Sequence, residues 1–266
     1  TASSRLGFGA SRTMQIAQKL YQGIEIEGET IGLITYMRTD GTNLSKDAIS
    51  AFRDYIKKEI GNEYLPEEAL NYSGKKAKNA QEAHEAIRPT DIVRTPQSVK
   101  KYLSPDQNKL YDLIWSRSLS SQMESAKFDR NTITITSDNN DTICKASGSV
   151  LKFDGFLKIY KNPSKDDDEN ILPSMSKGLV NIEALLDEQH FTQPPPRYSE
   201  ASLVKKLEEL GIGRPSTYAS IISTIANRGY AEILNKRFFP TDRGKLISAF
   251  LEKLFSKYVD YNFTAG

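Results

Sequence analysis

The residues best suited to chemistry are a tyrosine and an arginine two positions apart, Tyr36 and Arg38, in the segment "ITYMRTDGTNLS". A tyrosine that attacks a phosphodiester needs a nearby cation, because its hydroxyl has an ordinary pKa of about 10 and the attack builds negative charge on the phosphoryl oxygens. In an extended segment both side chains point to one face, where Asp40 would orient Arg38. The pattern indicates phosphoryl transfer. A half-buried structural tyrosine, or a surface ion pair, would produce it equally.

A second candidate is the segment "AQEAHEAIRPTD". A zinc protease motif would require a second histidine where Arg88 stands, so that class of site is excluded. On a helix ended by Pro89, the side chains of Gln81, His84 and Arg88 would share one side and contact phosphate. The alternative is a structural histidine at a helix end. The lysines of the preceding "SGKKAKN" would suit a nucleic-acid backbone, or belong to a solvated loop.

A third candidate is the turn "GIGRPSTYAS", whose Ser216 and Thr217 are expected to open a helix. Free backbone N–H groups and the positive end of the helix dipole attract anions at such a position. Arg214 adds charge to the turn, and Arg228 near the end of the same helix is a further candidate for backbone or base contact. An ordinary helix cap with a surface arginine is the alternative.

The elements that must position these residues fall into three regions. Apolar residues at helical spacing predict helices at 11–22 and from Ser45 to Gly61, with the Tyr36 segment extended between them. Alternating β-branched and polar residues predict strands at 128–160, followed by a charged loop at 161–170. From Ser199 onwards, two helices, a tight turn, a hairpin and a third helix resemble a winged helix.

The sequence therefore predicts an α+β, multidomain chain. The expected division is a helix-rich tyrosine-bearing domain at 1–125, part of a β-rich arch at 126–196, and part of a helical, winged-helix-like domain that binds single-stranded DNA at 197–266. The net charge of +2 does not by itself indicate nucleic acid, because binding depends on a local basic surface. The single cysteine, Cys144, excludes an internal disulfide and a cysteine zinc site, and fits a reducing cytoplasm.

Taken together, "GLITYMRTDGTNLS", "AQEAHEAIRPTD" and "YSEASLVKKLEELGIGRPSTYASIISTIANRGY" resemble three signature segments of the type IA DNA topoisomerases, the bacterial topoisomerase I group, in the family's order. The resemblance covers essentially the whole chain. Gly41 is a departure, since many members have serine there.

The resemblance implies a role for each candidate residue. Tyr36 would be the nucleophile that forms a 5′-phosphotyrosine link with a single strand and releases a 3′-hydroxyl. Arg38 would stabilise the phosphate and His84 would contact it. Arg214, Thr217 and Arg228 would bind single-stranded DNA. Cleavage, strand passage and religation would then relax negatively supercoiled DNA without ATP, in a monomeric, DNA-associated cytoplasmic enzyme with no membrane segment.

The resemblance also implies that the chain is a fragment. The family places a Toprim domain, whose acidic residues bind Mg²⁺, ahead of these motifs, and further DNA-binding modules after them. We therefore expect no metal site in this chain, and the acidic run at 166–169 is interpreted as a solvated linker. Isolated, the fragment should be inactive. The alternative to this enzyme is a non-enzymatic winged-helix module that binds duplex DNA.

Overall fold

The computed structural model describes residues 1–72, 84–137, 142–161, 172, 176–181, 184 and 186–265. These residues form a mixed helix and strand fold with two compact units, of which the first combines 1–124 with 197–266 and the second is 125–196. The chain was expected to divide into three domains, and that functional division stays a prediction. No helix of the described residues is long and apolar enough to cross a membrane.

The helices are shorter and more numerous in the first unit than the sequence patterns indicated. Their bounds are α1 Ala2–Leu6, α2 Ala10–Gln22, α3 Lys46–Tyr55, α4 Pro96–Val99, α5 Pro105–Ser120, α6 Glu200–Glu209, α7 Tyr218–Asn227, α8 Asp242–Leu254, α9 Ser256–Val259 and α10 Tyr261–Ala265. The strands form three antiparallel hairpins, β1 Ile24–Ile26 with β2 Glu29–Ile31, β3 Lys127–Thr136 with β4 Ile143–Phe153, and β5 Ala231–Leu234 with β6 Arg237–Pro240.

The predicted helix at 11–22 is confirmed as α2, and it is the central element of the first unit. It buries Ile16, Ala17 and Leu20 and ends at Gly23. The helix packs against α5 on one side and α7 on another. Its N-cap, Gly9, supplies no side chain, and the Glu200 carboxylate instead accepts a hydrogen bond from the Ala10 N–H at 2.6 Å. The N-terminus of α2 is thus capped by a residue from the far end of the sequence.

The helix after the Tyr36 segment begins where its capping signal predicted. Ser45 accepts a hydrogen bond from the Ala48 N–H, and α3 buries Ala48 and Phe52. The last turn, Ile56–Ile60, widens to π-helical geometry before Gly61. In the same part of the unit, α5 begins with a Ser104–Gln107 capping box.

The C-terminal part of the first unit has the predicted order of two helices, a hairpin and a further helix. Ser199 caps α6, and the turn 210–217 leads into α7. The apolar cluster of Ile222, Ala231 and Phe238 also receives Ala10 from α2. This contact, like the Glu200 cap, ties the two sequence segments of the unit together.

The second unit is built on one long hairpin. β3 and β4 pair from Lys127 with Phe153 to Thr136 with Ile143, and the register shifts between Lys127 and Phe128. This confirms strands over most of 128–160, although Gly155–Lys158 forms a 3-10 helix. The acidic run at 166–169 and most of the charged loop lie outside the described residues. The described residues from 176 to 196 form no helix or strand.

Candidate active site

The Tyr36 segment runs along the C-terminal end of α2. The Leu33 N–H donates to the Leu20 carbonyl at 2.8 Å, and a Cβ on Gly32 would stand only 2.7 Å from the Tyr21 carbonyl oxygen. Leu33, Ile34 and Met37 are buried. These anchors fix the backbone around Tyr36, while the half-buried Tyr36 ring itself remains partly accessible.

Two aromatic rings contact Tyr36. Its centroid lies 5.1 Å from that of His84, with the ring planes at 52°, and 5.4 Å from that of Tyr21, with the planes at 68°. The structure therefore brings together the tyrosine and the histidine of the first two motifs. Tyr21, which the sequence placed only on the apolar face of a helix, is an unanticipated member of the site. An exposed aromatic at a helix end carries no sequence signal of its own.

Arg38 lies at the surface, where the chain bends at residues 37 and 38. It borders an open groove along α2 that is also lined by Gln15, Gln18 and Lys19. Among the described residues, no hydrogen bond or ion pair engages its guanidinium, whose forked N–H donors suit a phosphate or carboxylate ligand. Because Met37 is buried between Tyr36 and Arg38, the two candidate side chains both lie towards the surface, as alternation predicted.

Asp40 was expected to orient Arg38, and this expectation is wrong for the described residues. The structure gives no ion pair or hydrogen bond between them. The Asp40 carboxylate acts on Tyr218 of α7 instead: burial and Glu208 raise the pKa of that tyrosine, Asp40 raises it further, and Arg214 opposes them. The loop after the candidate nucleophile therefore lies within electrostatic range of α7.

The helical interpretation of the His84 motif is wrong over its described part. Residues 84–88 form neither helix nor strand, with a bend at residue 87, and Ile34 forms an isolated antiparallel bridge with Pro89. A proline disfavours helical backbone in its predecessor, and here the backbone groups bond to the Tyr36 segment instead of to one another. Gln81 and the lysines at 75, 76 and 78 lie outside the described residues.

Arg88 was a candidate for phosphate contact, but each of its three guanidinium nitrogens already donates a hydrogen bond within the chain. Nε and Nη2 donate to the two carboxylate oxygens of Glu85 at 2.9 and 2.8 Å, and Nη1 donates to the Pro89 carbonyl. Only 15% of the Arg88 side chain is exposed. Burial raises the pKa of Glu85, but Arg88 and the Ser45 N–H outweigh it and hold that pKa below its ordinary value. Arg88 is therefore a structural cation.

The third motif forms the turn that leads into α7. Thr217 Oγ1 accepts a hydrogen bond from the Arg214 N–H at 2.8 Å and donates to the Arg214 carbonyl at 3.1 Å. The Arg214 guanidinium donates to the carbonyl oxygens of Gly211 and Gly213. Arg228 follows the last residue of α7 and is exposed. Thr217 thus holds the turn, while both arginines keep their charge at the surface.

The described residues offer no set of ligands for a metal ion. No three side chains of His, Cys, Asp or Glu lie close enough together within that part of the chain to hold one. The carboxylate nearest in sequence to His84, that of Glu85, is engaged by Arg88 and Ser45. The residues around Tyr36 therefore do not fit a resident Mg²⁺ ion, which prefers several oxygen ligands in octahedral geometry.

Comparisons with known proteins agree with the motifs. A family described as DNA topoisomerase matches residues 1–266. DNA topoisomerase 1 of Rickettsia prowazekii is 53% identical over 269 residues, covering 100% of this chain and 34% of the relative. DNA topoisomerase 1 of Xylella fastidiosa is 50% identical over 272 residues, covering 99% of this chain and 33% of the relative.

The fold has a counterpart among solved structures. Full-length topoisomerase I from Thermotoga maritima matches with a TM-score of 0.81 and 37% identity, over 99% of this chain and 42% of that one. The chain thus spans about a third of the length of the curated relatives it matches. With the family match over every residue, these findings confirm the resemblance that the three motifs indicated, and the chain belongs to the DNA topoisomerase family.

Proposed function

We propose that this chain carries the strand-cleaving tyrosine of a type IA DNA topoisomerase. The observation that carries the proposal is the contact between the Tyr36 and His84 rings, 5.1 Å apart, with the exposed Arg38 two residues along the chain. Two motifs distant in sequence supply the tyrosine and a hydrogen-bond donor to one surface. Such a pairing suits attack on a phosphodiester, because the histidine and the exposed Arg38 can both stabilise the charge that builds on the phosphoryl oxygens.

In the proposed reaction, the Tyr36 oxygen attacks a phosphorus atom of a single DNA strand as its hydroxyl proton leaves. A phosphorus–oxygen bond to tyrosine forms while the bond to the 3′ oxygen breaks, and the proton lost by the phenol is balanced, through solvent, by one gained at the 3′ oxygen, giving a 5′-phosphotyrosine and a 3′-hydroxyl. Arg38 stabilises the charge on the phosphoryl oxygens through its forked donors, and His84 donates a hydrogen bond to the same phosphate or its neighbour. Because one phosphoester replaces another, religation requires no ATP.

Strand binding is assigned to the turn before α7. Arg214 and Arg228 would contact the phosphate backbone, and Thr217 would present the turn in the required geometry. In the complete protein, passage of another strand between cleavage and religation would relax negatively supercoiled DNA. In this proposal 1–125 is the tyrosine-bearing domain, 126–196 part of a β-rich arch, and 197–266 part of a helical winged-helix-like domain, in a monomer.

Magnesium is not assigned to residues of this chain. The family resemblance implies an Mg²⁺-dependent enzyme, but the described residues do not provide a fitting set of ligands. No step of the reaction above is therefore routed through a metal ion.

The competing function is a non-enzymatic winged-helix module that binds duplex DNA. The order of α6, α7 and the β5–β6 hairpin favours it. The winged-helix alternative predicts that the chain protects a defined duplex site, whereas the topoisomerase proposal predicts a preference for single strands with little sequence selection. Competition between a single strand and its duplex for the chain would separate the two.

The decisive test is covalent trapping in the complete protein. With a strand labelled on the 3′ side of the break and denaturant to prevent religation, an adduct should form and map to the peptide containing "ITYMR". Tyr36→Phe removes only the hydroxyl, so it should abolish the adduct and leave single-strand binding unchanged. An adduct that survives this substitution, or maps to another tyrosine, would contradict the proposal.

A further inference from the structure

The position of His84 raises a physical question, because the segment that carries it is not helical. Outside a helix, no ladder of backbone hydrogen bonds between residues i and i−4 holds the segment in place. The His84 ring nevertheless lies against Tyr36 at a defined distance and angle. The restraint must come from neighbours of His84 in sequence and from the Tyr36 segment.

The backbone from His84 to Arg88 is bonded along the Tyr36 segment, beginning with Thr39 Oγ1, which donates to the His84 carbonyl at 3.4 Å. The Ala86 N–H donates to the Asn43 carbonyl at 2.8 Å, and Thr35 Oγ1 donates to the Ala86 carbonyl at 2.9 Å. The Thr35 N–H donates to the Arg88 carbonyl at 2.9 Å. These bonds fix the register of the two segments, so His84 is placed by its pairing partner.

One carboxylate, that of Glu85, connects the His84 segment to the start of α3. Glu85 follows His84 directly and accepts both forked donors of Arg88, while Oε2 also accepts the Ser45 N–H at the start of α3. Arg88 is held in turn through its own N–H by Thr35 Oγ1 at 3.0 Å. A forked, largely buried arginine–carboxylate pair restricts rotation more strongly than a single contact. The pair therefore links His84, the Tyr36 segment and α3.

We infer that Glu85 and Arg88 are positioning residues that hold His84 against Tyr36, and that Arg88 does not contact DNA. The inference rests on the proposed function for its catalytic meaning, but its geometric content stands independently. A ring displaced by about 1 Å from the attacked phosphate costs up to roughly a hundredfold in rate. The pair thus controls the reaction through His84 and leaves strand affinity unaffected.

The geometric part can be tested on this chain by NMR, because it contains only two histidines. The Tyr36 ring current shifts the His84 ring protons, and Tyr36→Leu shows where they resonate without it. Arg88→Lys keeps the charge but loses the fork, so its His84 resonances should move towards the Tyr36→Leu positions. His190, 81% exposed and in the other unit, is an internal reference that should not move.

The matched control is Arg94→Lys. Arg94 pairs with Asp91 at the same i,i+3 spacing, with its Nε 3.6 Å from Oδ2, but neither residue contacts His84. This substitution should leave the His84 resonances unchanged. If Arg88→Lys unfolds the chain, Glu85→Gln asks the same question while retaining the size of the side chain and one oxygen acceptor.

The functional part is measured as single-turnover cleavage in the complete protein. Arg88→Lys should slow cleavage by roughly tenfold to a hundredfold and leave single-strand affinity and its salt dependence unchanged. Unmoved His84 resonances in folded Arg88→Lys and Glu85→Gln chains would overturn the inference, as would a loss of strand affinity with a shallower salt dependence. Failure of the wild-type protein to form a Tyr36 adduct would instead refute the proposed function and leave the NMR result standing.

Discussion

Arg88 and Arg214 each lie in a motif that the sequence suggested for phosphate contact, but their guanidinium groups have different partners in the structure. Arg88 is paired with a carboxylate and only 15% of its side chain is exposed, so its charge is neutralised within the fold. Arg214 donates only to backbone carbonyls, and no carboxylate of the described residues lies within ion-pair distance of it. A neutral acceptor orients a guanidinium without cancelling its charge. Arg88 therefore has a structural role in the site, whereas the charge of Arg214 is available to a phosphate.

The Tyr36–His84 region and the turn that carries Arg214 also differ in the reason why each needs a glycine. Gly213 adopts a left-handed backbone with φ +79°, so the turn before α7 needs glycine for conformation. Gly41 needs it for space, since a Cβ there would stand 2.0 Å from the His84 carbonyl oxygen. The Tyr36–His84 region is therefore closely packed, whereas the Arg214 region is a turn open to ligands.

The largest effect should follow from filling the space at Gly41. The serine that many family members have at this position requires wider spacing of the two segments than this chain shows, so Gly41→Ala should displace the His84 segment here, strongly reduce the adduct and lower the free energy of unfolding by about 1–3 kcal/mol. Thermal unfolding and trapping measure the two effects. Gly178→Ala is the control, because a Cβ there meets nothing within 4 Å. Equal behaviour of the two variants would show that close packing does not distinguish the Tyr36–His84 region.

Replacing the free arginine beside Tyr36 should have the next largest effect. Arg38→Lys retains the charge but not the forked donors, and one lost transition-state interaction costs about 3 kcal/mol, or roughly a hundredfold in rate. Single-turnover cleavage in the complete protein measures it. Unaltered cleavage would remove Arg38 from the site and leave His84 as the remaining candidate for phosphate contact.

The two compared arginines should differ in the salt dependence of single-strand binding. Each phosphate contact contributes about −0.7 to the slope of log affinity against log salt, because neutralisation releases counterions. Arg214→Ala should flatten the slope by about that amount, while Arg88→Ala, checked for folding, should not change it. Binding titrations at several salt concentrations provide the measurement. A shallower slope for Arg88→Ala would contradict the contrast between neutralised and free arginines.

The smallest effect concerns acid stability. The pKa of Glu85 is lowered in the folded chain, so its pairing stabilises the fold above the ordinary value of 4.5, and that stabilisation is lost as pH falls through the lowered value. Glu85→Gln should cost roughly 1 kcal/mol at neutral pH, and the difference from wild type should shrink on acidification. Denaturant unfolding at several pH values tests this. A constant difference would show that the carboxylate charge is not what holds Arg88.

The sequence by itself determined the local elements and the family to which the chain belongs. Capping residues and apolar spacing are local signals, so the starts of α3 and α6, the end of α2 and the hairpin of the second unit could all be predicted. Tyr36 and Arg38 were recognisable because their types and spacing carry the chemistry. The bounds of the elements were predicted less precisely. The strand that precedes Tyr36, β2, already ends at Ile31.

Only the tertiary structure decided how the motifs are used. The His84 segment has helix-forming residues, but its backbone bonds to Thr35 and Asn43 instead of forming a helix, and such long-range pairing overrides local propensity. The same pairing turned Arg88 from a candidate phosphate ligand into the partner of Glu85. No spacing rule reveals that Tyr21 would contact Tyr36, or that Glu200 would cap α2. These contacts join residues that meet only when the chain has folded, so their chemistry depends on tertiary packing that local sequence does not encode.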